Sequence, residues 1–140
     1  GEEAEALRAA GNEYGAATGR PRRVGPFDIV ASRYGVLMQG ASELALTKMD
    51  VLSYLDQIPV CVAYDVAGEK IDYFPIGDKL NKAKPVIEYL PGWKCDISGC
   101  RTLADLPQEA RNYIDSIEKA MDCPITYISV GAQREAIIIR

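Results

Sequence analysis

The segment "LPQEARNYIDSIEKAMDCPITYISVG", Leu106 to Gly131, constrains the fold more than any other stretch. Ala110, Tyr113, Ile114, Ile117 and Met121 recur at helical spacing and form one apolar stripe. Pro107 sits where a helix tolerates proline, in its first turn, and Pro124 stops the helix. Beyond it "ITYISVG" (125 to 131) is a strand ending in glycine, and "AIIIR" closes as another. A helix with one buried stripe leading directly into strands predicts an α/β layer structure, a mixed sheet with flanking helices.

The remaining text fits that class. Residues 28 to 38 place Ile29, Val30, Tyr34, Leu37 and Met38 on one helical face, with Gly35 a mild internal weakness. "ELALT" (43 to 47) is an apolar strand, and "IPVCVAY" (58 to 64) has the continuous β-branched character of a strand buried on both faces. "DVAG" is a turn, and "EKIDYFP" (69 to 75) pairs back as a hairpin partner. From Ile76 to Leu106 prolines and glycines predict a long ordered loop, with one strand at Val86 to Tyr89. The opening "GEEAEALRAAG" reads as the second half of a helix stopping at Gly11, so the expectation is a piece of a longer protein.

With 140 residues, a single core is the default. A 48% hydrophobic share is too high for a disordered chain, and no apolar run is long enough to span a membrane. The net charge of −4 and pI near 4.9 exclude a nucleic-acid binder with a wholly basic face. Cys61, Cys95, Cys100 and Cys123 lack C-x2-C spacing and the chain has no histidine, so no metal site is expected. The expected setting is the cytoplasm, with reduced thiols. Without histidine, acid–base chemistry falls to carboxylates, Lys, Tyr or Cys.

Two stretches carry chemistry. In "GNEYGAATGRPRRVG", Gly15, Ala16, Ala17 and Gly19 leave backbone N–H groups approachable, and Thr18 adds a hydroxyl. The guanidinium forks of Arg20 and Arg22, spaced by the stiff Pro21, suit carboxylates or phosphates. A plainer alternative is a surface loop whose arginines pair with Glu2, Glu3 or Glu13. In "LTKMD", Asp50 can accept both adjacent donors of guanine, while the Lys48 stem lies over the purine face. Adenine presents an acceptor at the same ring position and is repelled. Here the plain alternative is a polar loop with a solvated lysine and a capping aspartate.

Together, "GNEYGAATGRPRRVG", "LALTKMDVL", "CVAY", "YLPGW", "LPQEARNYI" and "CPITYISVG", in this order, resemble the C-terminal portion of the adenylosuccinate synthetase family across essentially all 140 residues. The resemblance implies the C-terminal part of a larger, P-loop-like α/β enzyme. That enzyme is a homodimer joining IMP to L-aspartate with GTP hydrolysis and Mg2+, through 6-phosphoryl-IMP. It implies that Ala16, Ala17, Thr18, Gly19, Arg20, Pro21 and Arg22 hold the aspartate carboxylates, Thr18 and Arg20 foremost, with Arg20 beside IMP. Arg22 reaches the GTP phosphates, Lys48, Met49 and Asp50 read guanine, and Ser129, Val130 and Gly131 close over the base. Ala17 stands where many relatives carry a second threonine, Pro26 replaces a common tryptophan, and "VGAQRE" replaces "TGPDR". The resemblance further implies that the family's catalytic aspartate and histidine, and most Mg2+ and IMP contacts, belong to a part of the enzyme upstream of Gly1. These 140 residues alone are therefore expected to be catalytically silent. The alternative function is a stand-alone guanine-nucleotide-binding module without catalysis.

Overall fold

The computed structural model describes Gly1 to Arg140. In chain order the elements are α1 (Glu2–Gly11), β1 (Phe27–Asp28), α2 (Ile29–Gln39), β2 (Leu44–Leu46) and a 3-10 turn (Met49–Tyr54). There follow β3 (Gln57–Val66), β4 (Glu69–Ile71), α3 (Asp78–Lys82) and β5 (Lys84–Pro91). A second 3-10 turn (Leu103–Asp105), α4 (Gln108–Met121), β6 (Ile125–Ser129) and β7 (Ile137–Ile139) complete the chain.

The sheets are mixed. β3 pairs in parallel with β1 and antiparallel with β4 and β5. In the second sheet β2 and β6 run parallel and β7 pairs antiparallel with β6. The two faces of β3 meet two cores: Ile58 and Val60 join the large cluster, Cys61 and Tyr64 the smaller one with Val30 and Ile71. That is why its sequence is apolar without alternation. All five residues of the α4 stripe are buried in one cluster with Ile125, Ile128 and Ile138 of the second sheet and Ile58 and Val60 of β3, so this core joins α4 to both sheets. Burial pushes the Tyr113 hydroxyl up to about 12.

Several expectations change. On α2, Val30 is buried, but Tyr34, Leu37 and Met38 are 42%, 69% and 65% exposed, while Ile29 and Val36 pack on the large core. Asp28 accounts for that rotation: its carboxylate accepts from the Ala31 N–H at 2.9 Å and from the Tyr64 hydroxyl at 2.5 Å, pinning the helix start to β3. α1 ends at Gly11 as expected, but the left-handed cap that follows is Asn12, φ 49°, rather than the glycine itself. Gly11 instead serves close approach, because a Cβ there would sit 3.1 Å from Glu13 Cγ and 3.3 Å from Val51 Cγ1. β4 ends at Ile71, shorter than expected, and Pro107 caps α4 rather than lying inside its first turn.

The region from Ile76 to Leu106 is more regular than its prolines imply. β5 pairs with β3 alone, so Pro85 and Pro91 occupy an edge strand, where a missing N–H is tolerated. Directly after it, the Gly92 N–H donates to Asp56 O at 2.9 Å and the Trp93 indole donates to Ser53 Oγ at 2.9 Å. A Cβ on Gly92 would lie 2.1 Å from the Leu55 carbonyl oxygen, so "PGW" is a brace for the Met49–Tyr54 turn.

In urea unfolding, Ile117→Ala should cost about 2–5 kcal/mol, while Leu37→Ala, on the exposed side of α2, should stay within about 0.5 kcal/mol. Equal losses would contradict this assignment of faces.

Candidate functional site

Parallel pairing of β2 with β6, Leu46 opposite Ile128, brings the carboxyl ends of both strands to one edge. Such an edge is where open α/β sheets receive ligands. Lys48 leaves β2 in a left-handed conformation, φ 61°, and its N–H donates to Ser129 Oγ at 2.8 Å. The "TKMD" and "ISVG" ends are therefore joined directly. Met49 and Val130 are buried at 1% and 0%, so their side chains anchor the core and only main chain remains for a ligand. Asp50 is half-buried in the first turn of the 3-10 segment. Gly131 lies close to the return strand: an added Cβ would be 2.9 Å from Ala136 Cβ. Val130 donates to Ala136 O at 3.0 Å, and Ala136 N–H to Gln133 O at 3.0 Å, closing the "VGAQRE" turn.

The arginine loop is a closed structure. Gly15 N–H donates to Arg20 O and Gly19 N–H to Gly15 O, each at 2.8 Å, and Tyr14 bridges Pro21. Gly19 takes φ 65°, which favours glycine, and Arg20 N–H donates to Thr18 Oγ1 at 3.3 Å. Ala16, Ala17, Thr18, Gly19, Arg20, Pro21 and Arg22 are all exposed. Arg20 and Arg23 make no side-chain ion pair, so their guanidinium groups are free for an anion.

Glu13 joins the two stretches. Arg22 Nη1 donates to its Oε2 at 2.9 Å, and Lys48 Nζ donates to Gly11 O at 2.8 Å and also to Glu13 Oε1. Of the plainer readings, the arginine–Glu13 pair is realised for Arg22, while Lys48 is tied down rather than free in solvent. In the sequence Glu13 stands out only as one possible partner for the loop arginines; nothing local marks its link to Lys48, because that contact spans 35 residues. "YLPGW" stands out in the sequence as a motif, but the brace that Trp93 makes with Ser53 does not, because that contact spans 40 residues. Hydrogen bonds from Lys48 first and Arg22 second hold the Glu13 carboxyl below its ordinary value.

A cavity of about 740 Å³ opens beside Glu13 and Lys48, walled mainly by apolar side chains, among them Leu7, Phe27 and Leu52, with Arg23 at its edge. No three carboxylates or thiols converge to hold a metal ion, so the chain's residues do not fit Mg2+ as a self-sufficient site. The four cysteines are free.

This is an α/β fold with polar groups gathered at the carboxyl ends of parallel strands, where open α/β sheets receive their ligands. The adenylosuccinate synthetase family model matches residues 1–138, and the chain belongs to that family. It is 49% identical over 130 residues to adenylosuccinate synthetase from Prochlorococcus marinus (strain MIT 9301), covering 92% of this chain and 30% of the relative. The corresponding protein of Nocardioides sp. (strain ATCC BAA-499 / JS614) is 47% identical over 135 residues, covering 96% of this chain and 31% of that one. A solved structure of fully ligated adenylosuccinate synthetase from Plasmodium falciparum superposes with a TM-score of 0.93 at 36% identity, covering 100% of this chain and 34% of that one. The chain thus spans about a third of the length of these relatives.

A carboxyl held low adds stability above the ordinary value of 4.5 and loses it as pH falls through its own, lower midpoint. Carbon-13 NMR should therefore show Glu13 titrating below 4.5, and Lys48→Met should move the midpoint back up. A midpoint at or above 4.5 in the unaltered chain would refute the pairing.

Proposed function

We propose that this chain supplies the aspartate- and guanine-nucleotide-binding part of adenylosuccinate synthetase, the GTP-dependent ligase that joins IMP to L-aspartate in purine (AMP) biosynthesis. The supporting observation is the convergence at Glu13, where the Arg22 loop and the strand-end Lys48 share one carboxylate. In this reading Lys48 and Asp50 bind guanine: the carboxylate accepts from N1–H and the exocyclic amine while the Lys48 stem covers the ring face. Met49 and Val130 contribute main chain, and Ser129 and Gly131 shape the opposite wall. Arg22 takes phosphate. Thr18 and Arg20, with backbone N–H groups of Ala16 to Gly19, orient the two carboxylates of aspartate so that its amine faces C6 of phosphoryl-IMP, and Arg20 lies beside IMP.

The chain's contribution is binding and orientation, and it has no catalytic residue of its own. Mg2+, which neutralises the transferring phosphoryl group, takes its ligands from elsewhere in the family protein. The same reading places the protein in the cytoplasm, in a homodimer of the full-length enzyme; no helix here is long and apolar enough to cross a membrane.

Calorimetry with GDP and ADP tests the guanine half. GDP should bind about 10- to 100-fold more tightly, and Asp50→Asn, which puts an amide donor against guanine's donors, should erase the preference. Equal affinities in the unaltered chain would remove the reading. Supplied with GTP, IMP, aspartate and Mg2+, the purified chain should release no adenylosuccinate; measurable product would show that it carries its own catalytic groups.

A further inference from the structure

The three-way contact at Glu13 is asymmetric. Lys48 Nζ has two acceptors, Gly11 O at 2.8 Å and Glu13 Oε1, whereas the Arg22 side chain has one partner, Glu13 Oε2 at 2.9 Å. The Arg22 main chain is fixed separately: its N–H donates to Glu13 O at 3.0 Å, and its carbonyl accepts from Arg8 Nη1 at 3.3 Å. The Arg22 side chain is 56% exposed, against 20% for Glu13. An arriving anion therefore meets a guanidinium that can swing without moving its backbone, and leaves behind an ammonium still tied at two points.

Resting on the guanine-nucleotide reading above, we propose that Glu13 is a positioning residue acting as an internal stand-in for nucleotide phosphate. It pairs with Arg22 until a purine diphosphate or triphosphate takes that arginine, and then holds Lys48 alone against the base. Before binding, the carboxylate keeps Arg22 and Lys48 from repelling each other; after the exchange, the phosphate carries the arginine's counter-charge. Glu13 thereby links the base end of the site to its phosphate end, and competition with Glu13 lowers the benefit that phosphates bring.

The experiment compares GDP with guanosine, which has the base but no phosphate, in the unaltered chain, Glu13→Gln, Arg22→Gln and the double variant. Circular dichroism and thermal midpoints confirm that each is folded. Removing the internal anion should weaken guanosine by loosening Lys48, and should raise the ratio of GDP to guanosine affinity about 5-fold. In the Arg22→Gln background the same Glu13 change should leave that ratio unmoved. A merely structural glutamate would shift both ligands together. If GDP is still preferred over ADP but the ratio is the same with and without Glu13, the exchange is refuted and the guanine reading stands. If neither GDP nor guanosine binds the unaltered chain, the guanine reading falls and the exchange with it.

Discussion

The site depends on the parallel pairing of β2 with β6 over the buried stripe of α4. Burial fixes the register, because a one-residue slip would turn Ile128 out of the core, while the irregularity between Leu44 and Ala45 lets Ile125, three residues earlier, join the same cluster. With the register fixed, both strands stop at one edge, and Lys48 N–H reaches Ser129 Oγ across 81 residues of sequence. The polar ends are thus placed by apolar packing behind them, Met49 and Val130 being the anchors.

Onto that edge the arginine loop is fastened electrostatically rather than by packing. Its residues from Ala16 to Arg22 are exposed, and its internal hydrogen bonds hold its shape without holding its place. Placement comes from α1, which Asn12 caps, and from Glu13, which reaches Arg22 on one side and Lys48 on the other. Exposed ion pairs of this kind are individually weak, so the loop is the part of the site best suited to rearrange around a charged ligand.

Much of this was legible in the sequence. The α4 stripe, the run around Cys61 and both strands near the end follow directly from side-chain period, because burial at those positions is one-sided for α4 and two-sided for β3. On α2 the period misled: Leu37 and Met38 have the spacing of a core face, but the rotation is set by Asp28 and Tyr64, one capping the helix and the other on a different strand. β5 runs further than its prolines suggest, because proline breaks a strand only where its missing N–H is needed, and whether a strand lies at an edge is a tertiary fact. The motif residues were visible because guanidinium, carboxylate and glycine have few uses in such density. Glu13 was not, since its importance arises from a contact made only in the fold.

The central claim is that the Arg22 loop and the strand-end Lys48 form one ligand site rather than two neighbouring surfaces. The most direct measurement is an NMR titration of the chain with GDP, following the amides of Arg20, Arg22, Lys48, Asp50 and Ser129. One site predicts that all five respond with a common midpoint; separate midpoints, or a response confined to either the loop or the strand ends, would contradict it.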